Sequence, residues 1–253
     1  MTDSPHHWFE EVADHLGSTY LRYSFTRGTD QEVGFLVEAL GLTAGARVLD
    51  VGCGPGRHAN ALGRLGIEVV GVDISERFLE VARRDAPEGV TYLRADAREL
   101  TFDAEFDAAI SLCQGAFGLS GGPAAAWIPA VGEQPTEPDL PVIESISRAL
   151  VPGGAMAASA FSAYFQVRYL EEGDVFDADA GVNREITTIR SEDGVEAETD
   201  LWTTCFTPRE LRLLARSAGL VVDHIWSVTP GSYARRPPDL DHPEFLVIAR
   251  RPQ

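Results

Sequence analysis

The chain has 253 residues, and 21 basic side chains set against 39 acidic ones leave a formal charge of −18 at pH 7. All 21 basic residues are arginine, which excludes a lysine-bearing phosphate loop, Schiff-base catalysis and pyridoxal phosphate anchoring. The acidic balance argues against a nucleic-acid partner, because affinity for phosphates comes from Lys and Arg. In chain order, residues 6–16 read as a short amphipathic helix. A second helix begins at Thr29, with Glu32 three residues on as its capping-box partner and Gly41 as its stop. From Arg47 the rhythm changes to short apolar runs at 48–51, 67–72, 90–93, 106–112 and 155–161, with helical patterns at 57–65, 75–85 and 141–150 between them. Near-continuous hydrophobicity in those runs means that both faces of each strand are covered, as in a parallel sheet. The last third departs from this rhythm. Residues 183–189 and 196–206 flank the turn SEDG, and the second run alternates Leu201, Thr203 and Cys205 with Trp202, Thr204 and Phe206, a hairpin signal. Thr207-Pro208-Arg209-Glu210 opens a helix with a capping box and Pro at its first position. Strands at 220–228 and 245–249 close the chain, and the proline-rich stretches 120–139 and 229–243 read as loops.

Three scattered cysteines, Cys53, Cys113 and Cys205, are too few for a disulfide framework or a Cys-rich zinc site. No His or acid cluster has metal-ligand spacing. The acidic N-terminal stretch lacks the basic and apolar regions of a signal peptide, and no apolar run reaches the ~20 residues of a membrane span. These readings lead us to expect a soluble cytoplasmic protein with reduced thiols, no metal and no membrane partner; the oligomeric state is left open.

The informative segment is VLDVGCGPGR, residues 48–57, where a strand runs into a turn with Gly52, Gly54 and Gly56 and then into a helix. Alternate glycines bring the backbone close to a ligand, and the helix start presents free N–H groups to it. Position 57 is arginine, so the dinucleotide fingerprint fails at its third glycine. Asp50, two residues before the first glycine, suits an amine-bearing or cationic ligand rather than a pyrophosphate. Asp73 closes the next strand, in VGVD, where a carboxylate can accept both hydroxyls of a ribose.

With D-x-G-x-G-x-G followed by an acid at the second strand end, the chain resembles the class I S-adenosylmethionine-dependent methyltransferases, over about residues 47–154 and more loosely throughout. The resemblance implies an α/β, Rossmann-like, seven-stranded and mainly parallel sheet whose last strand is antiparallel. To this it adds a small N-terminal and β-hairpin cap, and S-adenosylmethionine as cofactor. It would divide the chain into an N-terminal cap at 1–41, a cofactor-binding core at 42–161, an inserted hairpin cap at 162–206 and a C-terminal helix with strands at 207–253. Asp50, with Gly52, Cys53, Gly54 and Gly56, would hold the methionine end; Asp73 would hold the ribose, with Ile74 on the adenine ring. Asp96 and Ala97, in RADA, would face the adenine amino group, and Leu112 and Gln114, in SLCQG, would line the cofactor. LVPGG at 150–154 resembles the turn into the fifth strand.

SLCQ lacks the paired prolines and aromatic of exocyclic-amine methylases of nucleic-acid bases, the Pro-Cys of cytosine-C5 enzymes and the acid of metal-dependent O-methyltransferases, which leaves a small-molecule acceptor. The stretch TYLRYSFTRGTDQEVGFL before the glycine turn looks like the glycine/sarcosine and amino-sugar N-methyltransferase group, so nitrogen is the expected acceptor atom and oxygen the second. Tyr23 is the expected aromatic contact and His58 a further cofactor-side residue; no catalytic residue is assigned. His6 and His7 would be lid residues or simply a disordered start, and the N-terminal helices, the 120–139 loop and the hairpin would close over the substrate. The acidic run from Glu171 to Asp179 would attract a cationic acceptor, whereas Arg235 and Arg236 would attract an anionic one. Two alternatives stand beside this reading: an NAD-linked oxidoreductase, and a non-catalytic module that binds the cofactor with no room for an acceptor.

Overall fold

Five apolar strands alternating with helices can bury both faces only as a central parallel layer, and the computed structural model, which describes residues 7–119, 122 and 138–253, has that arrangement. Helix α1 (Trp8–Leu16) leads through two 3₁₀ segments (Gly17–Arg22 and Ser24–Gly28) to α2 (Thr29–Leu40). Then follow β1 (Arg47–Val51), α3 (Arg57–Gly63), β2 (Glu68–Asp73), α4 (Glu76–Arg84), β3 (Val90–Arg94), β4 (Phe106–Ser111), α5 (Leu140–Ala149) and β5 (Leu150–Ser162). The remainder is α6 (Ala163–Arg168), β6 (Val175–Asp177), β7 (Val182–Arg190), β8 (Glu196–Phe206), α7 (Pro208–Ser217), β9 (Val221–Val228) and β10 (Glu244–Arg250).

Strands β3-β2-β1-β4-β5 are parallel neighbours in that order. Strand β10 lies between β5 and β9 and is antiparallel to both. This is the expected seven-stranded sheet with an antiparallel last strand. The order reverses between β1 and β4, and at such a switch point the loops leaving the two strands part to form a crevice. Alternation along β1 sends Leu49 and Val51 into one core, shared with Phe106, Ile143, Ile146 and Leu211, and Val48 into the other, shared with Leu36, Leu62, Ile110 and Leu246.

The hairpin β7–β8 is placed by register. Strand β4 ends at Ser111 opposite Ala158, and β8 takes up the edge of β5 three residues later, pairing Cys205 with Phe161 and Phe206 with Ser162. The hairpin therefore stands over the C-terminal ends of the parallel strands. Its Ile189 meets Val12, Ala13 and Leu16 of α1 and Phe78 of α4 in a third apolar cluster, so α1 and the hairpin close over the crevice together.

Three local expectations need correction. Glu32 does not reach back to cap α2: Gly28 is the N-cap without a side-chain bond, the Thr29 hydroxyl donates to Thr26 O, and the Glu32 carboxylate is drawn inward by buried donors. The segment LVPGG is part of β5, with an irregular step in its pairing to β4 between Phe106 and Ala108. The short α6 and β6 and the 3₁₀ segments were not anticipated, because none is long enough to show a period. His6 and residues 120–121 and 123–137 lie outside the described residues.

Candidate active site

Where β1 ends, the chain turns back under its neighbours. The Gly52 and Cys53 N–H groups both donate to Val72 O, at 2.8 and 3.0 Å. Gly52 has φ of 71°, and a Cβ there would overlap the backbone of Gly115, which leaves β4 on the other side of the crevice. Gly56, with φ of 79°, is the N-cap of α3, and a Cβ on it would run into the Tyr92 hydroxyl. Asp73 lies at the crevice floor, 4% exposed. Its two oxygens accept hydrogen bonds from Gly54 N and Ser75 N, each at 2.8 Å. Burial pushes its carboxyl up to about 6 against the pull of those donors.

Two connected chambers open from this floor, sharing Phe9, Gly52, Asp73, Gly115 and Leu119. The smaller, about 40 Å³, is bounded by Ile74, Ala95, Asp96, Ala97 and Arg98. Asp96 accepts from Arg98 Nη2 at 2.6 Å and from Arg98 N at 2.9 Å. Burial works to raise its carboxyl, and the Arg98 hydrogen bonds overcome that and hold it below the usual range. The larger chamber, about 220 Å³, continues past Cys53, Gly54, Leu112 and Gln114 to walls from α1, the 3₁₀ segments and the hairpin. Gln114 is buried, with its Nε2 lacking an acceptor among the described residues. Cys113 and Gln114 both adopt left-handed φ, 51° and 52°. This is a costly conformation for non-glycine residues, and it turns the Cys113 thiol toward Arg57 and leaves Gln114 on the chamber wall.

Most expected contacts line one chamber or the other: Cys53, Gly54, Tyr23, His58, Leu112 and Gln114 the larger, Ile74, Asp96 and Ala97 the smaller, and Gly52 and Asp73 both. Two do not. Asp50 and Gly56 lie behind the turn, Asp50 because it shares with Val48 the face of β1 directed at α3. Asp50 is 2% exposed, its Oδ2 has no partner among the described residues, and burial pushes its carboxyl up to about 7. Any hold that it has on a ligand acts through the turn.

Sequence reading missed a buried polar knot beneath the larger chamber. Glu32 Oε2 accepts from Arg57 Nη1 at 2.6 Å and pairs with His58 Nε2 at 2.7 Å, while Glu32 Oε1 accepts from Gly231 N at 2.7 Å. Burial alone would raise the Glu32 carboxyl, but His58, Arg57 and the Gly231 N–H together hold it at about 2. His58 goes the other way, lowered to about 4 by burial. An ionised Glu32 beside a neutral imidazole places the ring proton on Nε2. Arg57 also donates from Nη1 to Thr29 Oγ1 at 3.0 Å and from Nη2 to Cys113 Sγ at 2.6 Å. Glu32 follows the same helical face as Val33 and Leu36, and an acid there was the available signal. Hairpin residues Thr187, Ile189, Leu201 and Thr203 also line the larger chamber; the 201/203 alternation was legible, its target was not.

Neither charged run suggested for the acceptor touches these chambers. Arg235 pairs with Glu38 at 2.9 Å, Arg236 donates to Ser227 O, and Glu171 N donates to Asp174, all outside the cavity walls. Among the described residues no group of three or more His, Cys, Asp or Glu side chains could hold a metal ion, and no helix is long and apolar enough to cross a membrane.

Comparison with known proteins agrees with this geometry. A family model described as a methyltransferase domain matches residues 48–121. The chain is 30% identical over 224 residues to a cypemycin N-terminal methyltransferase from Streptomyces sp, covering 82% of this chain and 84% of that protein. A ubiquinone biosynthesis O-methyltransferase from Alkalilimnicola ehrlichii is 41% identical over 83 residues, 31% of this chain and 34% of the relative. Among solved structures, the CcbJ methyltransferase from Streptomyces caelestis superposes with a TM-score of 0.73 at 20% identity, covering 98% of this chain and 97% of that one.

Proposed function

The chain belongs to the S-adenosylmethionine-dependent methyltransferases, and from that premise we propose that it methylates a nitrogen atom of a small amine bound in the larger chamber. The residues present fit the cofactor. A backbone turn that a Cβ at Gly52 would block faces an aspartate with oxygens free to accept further hydrogen bonds, and beside them Gln114 Nε2 is buried without an acceptor among the described residues. Asp73 would hold the ribose. Ile74, Asp96 and Ala97 would bound the adenine, and Gly52, Cys53, Gly54, Leu112 and Gln114 the methionine end. When bound, S-adenosylmethionine supplies a methyl group on a sulfonium, already activated for in-line displacement. What the chain contributes is position and dryness: α1 and the hairpin cover the chamber, and the rings of Tyr20 and Tyr23 restrict how an acceptor can lie.

The observation that carries the choice of nitrogen is the state of the titratable groups on the wall. Arg57 and His58 are engaged with Glu32, burial keeps the Cys113 thiol and the Tyr20 hydroxyl protonated, and Asp73 belongs to the cofactor end. The basic nitrogen left on the described walls is Nδ1 of the neutral His58, and burial lowers that imidazole to about 4, too weak a base to prepare a hydroxyl for transfer by taking its proton. A hydroxyl acceptor needs that step, whereas a neutral amine attacks through its lone pair and loses its proton afterwards. The cypemycin enzyme, named for an N-terminus, points the same way; the O-methyltransferase match covers only about a third of either chain. The walls of the larger chamber that continue beyond the cofactor-facing residues, from Tyr20 and Tyr23 to Leu201 and Thr203, also speak against a non-catalytic module, and family membership displaces the oxidoreductase reading. Three free cysteines fit a cytoplasmic setting, and the strongly acidic composition disfavours nucleic acid.

The test is methyl transfer from labelled S-adenosylmethionine to matched pairs of amines and phenols on the same skeleton, read by mass. Amines should gain the methyl at least tenfold faster. Label appearing on phenols alone would overturn the choice of nitrogen.

A further inference from the structure

The walls of the larger chamber also select against one kind of amine. Beyond the cofactor-facing turn they are formed by rings and hydrocarbon. Tyr23 and Phe25 stack with centroids 5.8 Å apart and planes 18° from parallel, and Tyr20 stands edge-on to Phe25 at 5.4 Å. Ile189 and Leu201 face them from the hairpin, and Thr187 and Thr203 add two neutral hydroxyls. The one cation among the described wall residues is Arg57, whose Nη1 is 2.6 Å from Glu32 and whose Nη2 is 2.6 Å from Cys113. Its charge is cancelled inside the protein, with its side chain 8% exposed. The remaining wall charge, Asp73, lies at the cofactor end, where the two chambers meet. The segments outside the described residues contain no arginine, and their only basic side chain is His6.

Resting on the methyltransferase reading, we infer that the larger chamber binds an acceptor amine that bears no carboxylate or phosphate next to the nitrogen. An anion there would exchange water for apolar walls, with no free protein cation among the described wall residues to offset the loss. A hydrocarbon or aromatic amine meets no such cost, and rings stacked beside it favour any positive charge that builds on the nitrogen. Free amino acids are thereby excluded, glycine and sarcosine among them, although the N-terminal sequence resembles enzymes that act on them. An α-amine whose carboxyl is already in amide linkage remains acceptable.

Three probes that share one skeleton separate these cases: phenethylamine, phenylalaninamide and phenylalanine. Each is titrated by calorimetry into the full-length protein saturated with S-adenosylhomocysteine, so that binding is read without turnover. Phenethylamine should bind at least 30-fold more tightly than phenylalanine. Phenylalaninamide matching phenethylamine would indicate an amidated α-amine as the natural acceptor, and phenylalaninamide binding at least tenfold more weakly would indicate a simple hydrocarbon amine; either supports the inference. Phenylalanine binding as tightly as phenethylamine, or no binding by any probe, overturns it. In Leu201→Arg, a guanidinium placed on the wall should raise phenylalanine affinity at least tenfold, and an unchanged value in a folded variant also overturns it. Failure of S-adenosylhomocysteine itself to bind would instead remove the methyltransferase reading beneath it.

Discussion

Removing the Glu32 carboxylate tests the buried knot that holds the chamber floor. In Glu32→Ala, the Arg57 guanidinium, 8% exposed, loses its counter-charge, His58 Nε2 loses its partner, and Gly231 N–H is orphaned. Breaking a buried pair by removing one partner costs about 3–5 kcal/mol. For 253 residues the unfolding entropy is about 0.5 kcal/mol per kelvin near the midpoint, so a loss of about 4 kcal/mol lowers Tm by about 8 °C. Calorimetry at pH 7 measures it directly, and added salt should change the result little because the pair is buried. Removing the stranded cation as well, in Glu32→Ala/Arg57→Met, should recover a large part of the loss. The carboxyl is held at about 2 against an ordinary 4.5, so its contribution is fully present above about 4.5 and is lost as pH falls toward 2. A fall in Tm below 2 °C, or a double variant no more stable than the single one, would refute the assigned pairing.

Asp73→Ala should weaken S-adenosylhomocysteine binding by about 1.5–3 kcal/mol, or roughly 10- to 150-fold, the range for a lost charge-assisted hydrogen bond. Asp96→Ala should cost less, because Arg98 already occupies both Asp96 oxygens; equal losses, or an unchanged dissociation constant for Asp73→Ala, would remove the assigned roles. Gly52→Ala puts a Cβ into the Gly115 backbone at φ of 71° and should abolish cofactor binding, checked by calorimetry on protein that still gives a native circular dichroism spectrum. Glu244 is buried and pushed up to about 7 from 4.5. Its stabilising contribution is therefore full below 4.5 and lost as pH rises through about 7. The decline of Tm between pH 5 and 8 should be shallower in Glu244→Gln than in the parent, and parallel profiles would count against that assignment.

Much of the crevice lining was legible because its sequence pattern is local. A glycine turn between an apolar strand and a helix, with an acid at the next strand end, needs only residues 48–57 and 70–73 to be recognised, and the parallel register of β1 with β2 then brings Gly54 onto Asp73. The far wall of the larger chamber was less legible because it is assembled from distant pieces. Tyr20 and Phe25 sit in 3₁₀ segments with no period to read, and Leu201 and Thr203 reach the chamber only because β8 takes the edge of β5 that β4 leaves. Glu32 was misread for a related reason: three residues after a threonine, an acid fits a capping box, and only the tertiary approach of Arg57 and Gly231 draws it inward. Asp50 shows the opposite limit, since its place in the motif is plain but the pleat of β1 turns it behind the turn.

The central claim is that the crevice at the ends of β1, β2 and β4 holds an adenosyl cofactor with its reactive end facing the larger chamber. A crystal structure with S-adenosylhomocysteine tests it most directly. The expected result is ribose hydroxyls donating to Asp73, adenine against Ile74 and Ala97, and the thioether sulfur directed at the space between Cys113 and Tyr20. A nucleoside lodged elsewhere, or a sulfur turned away from that space, would contradict it.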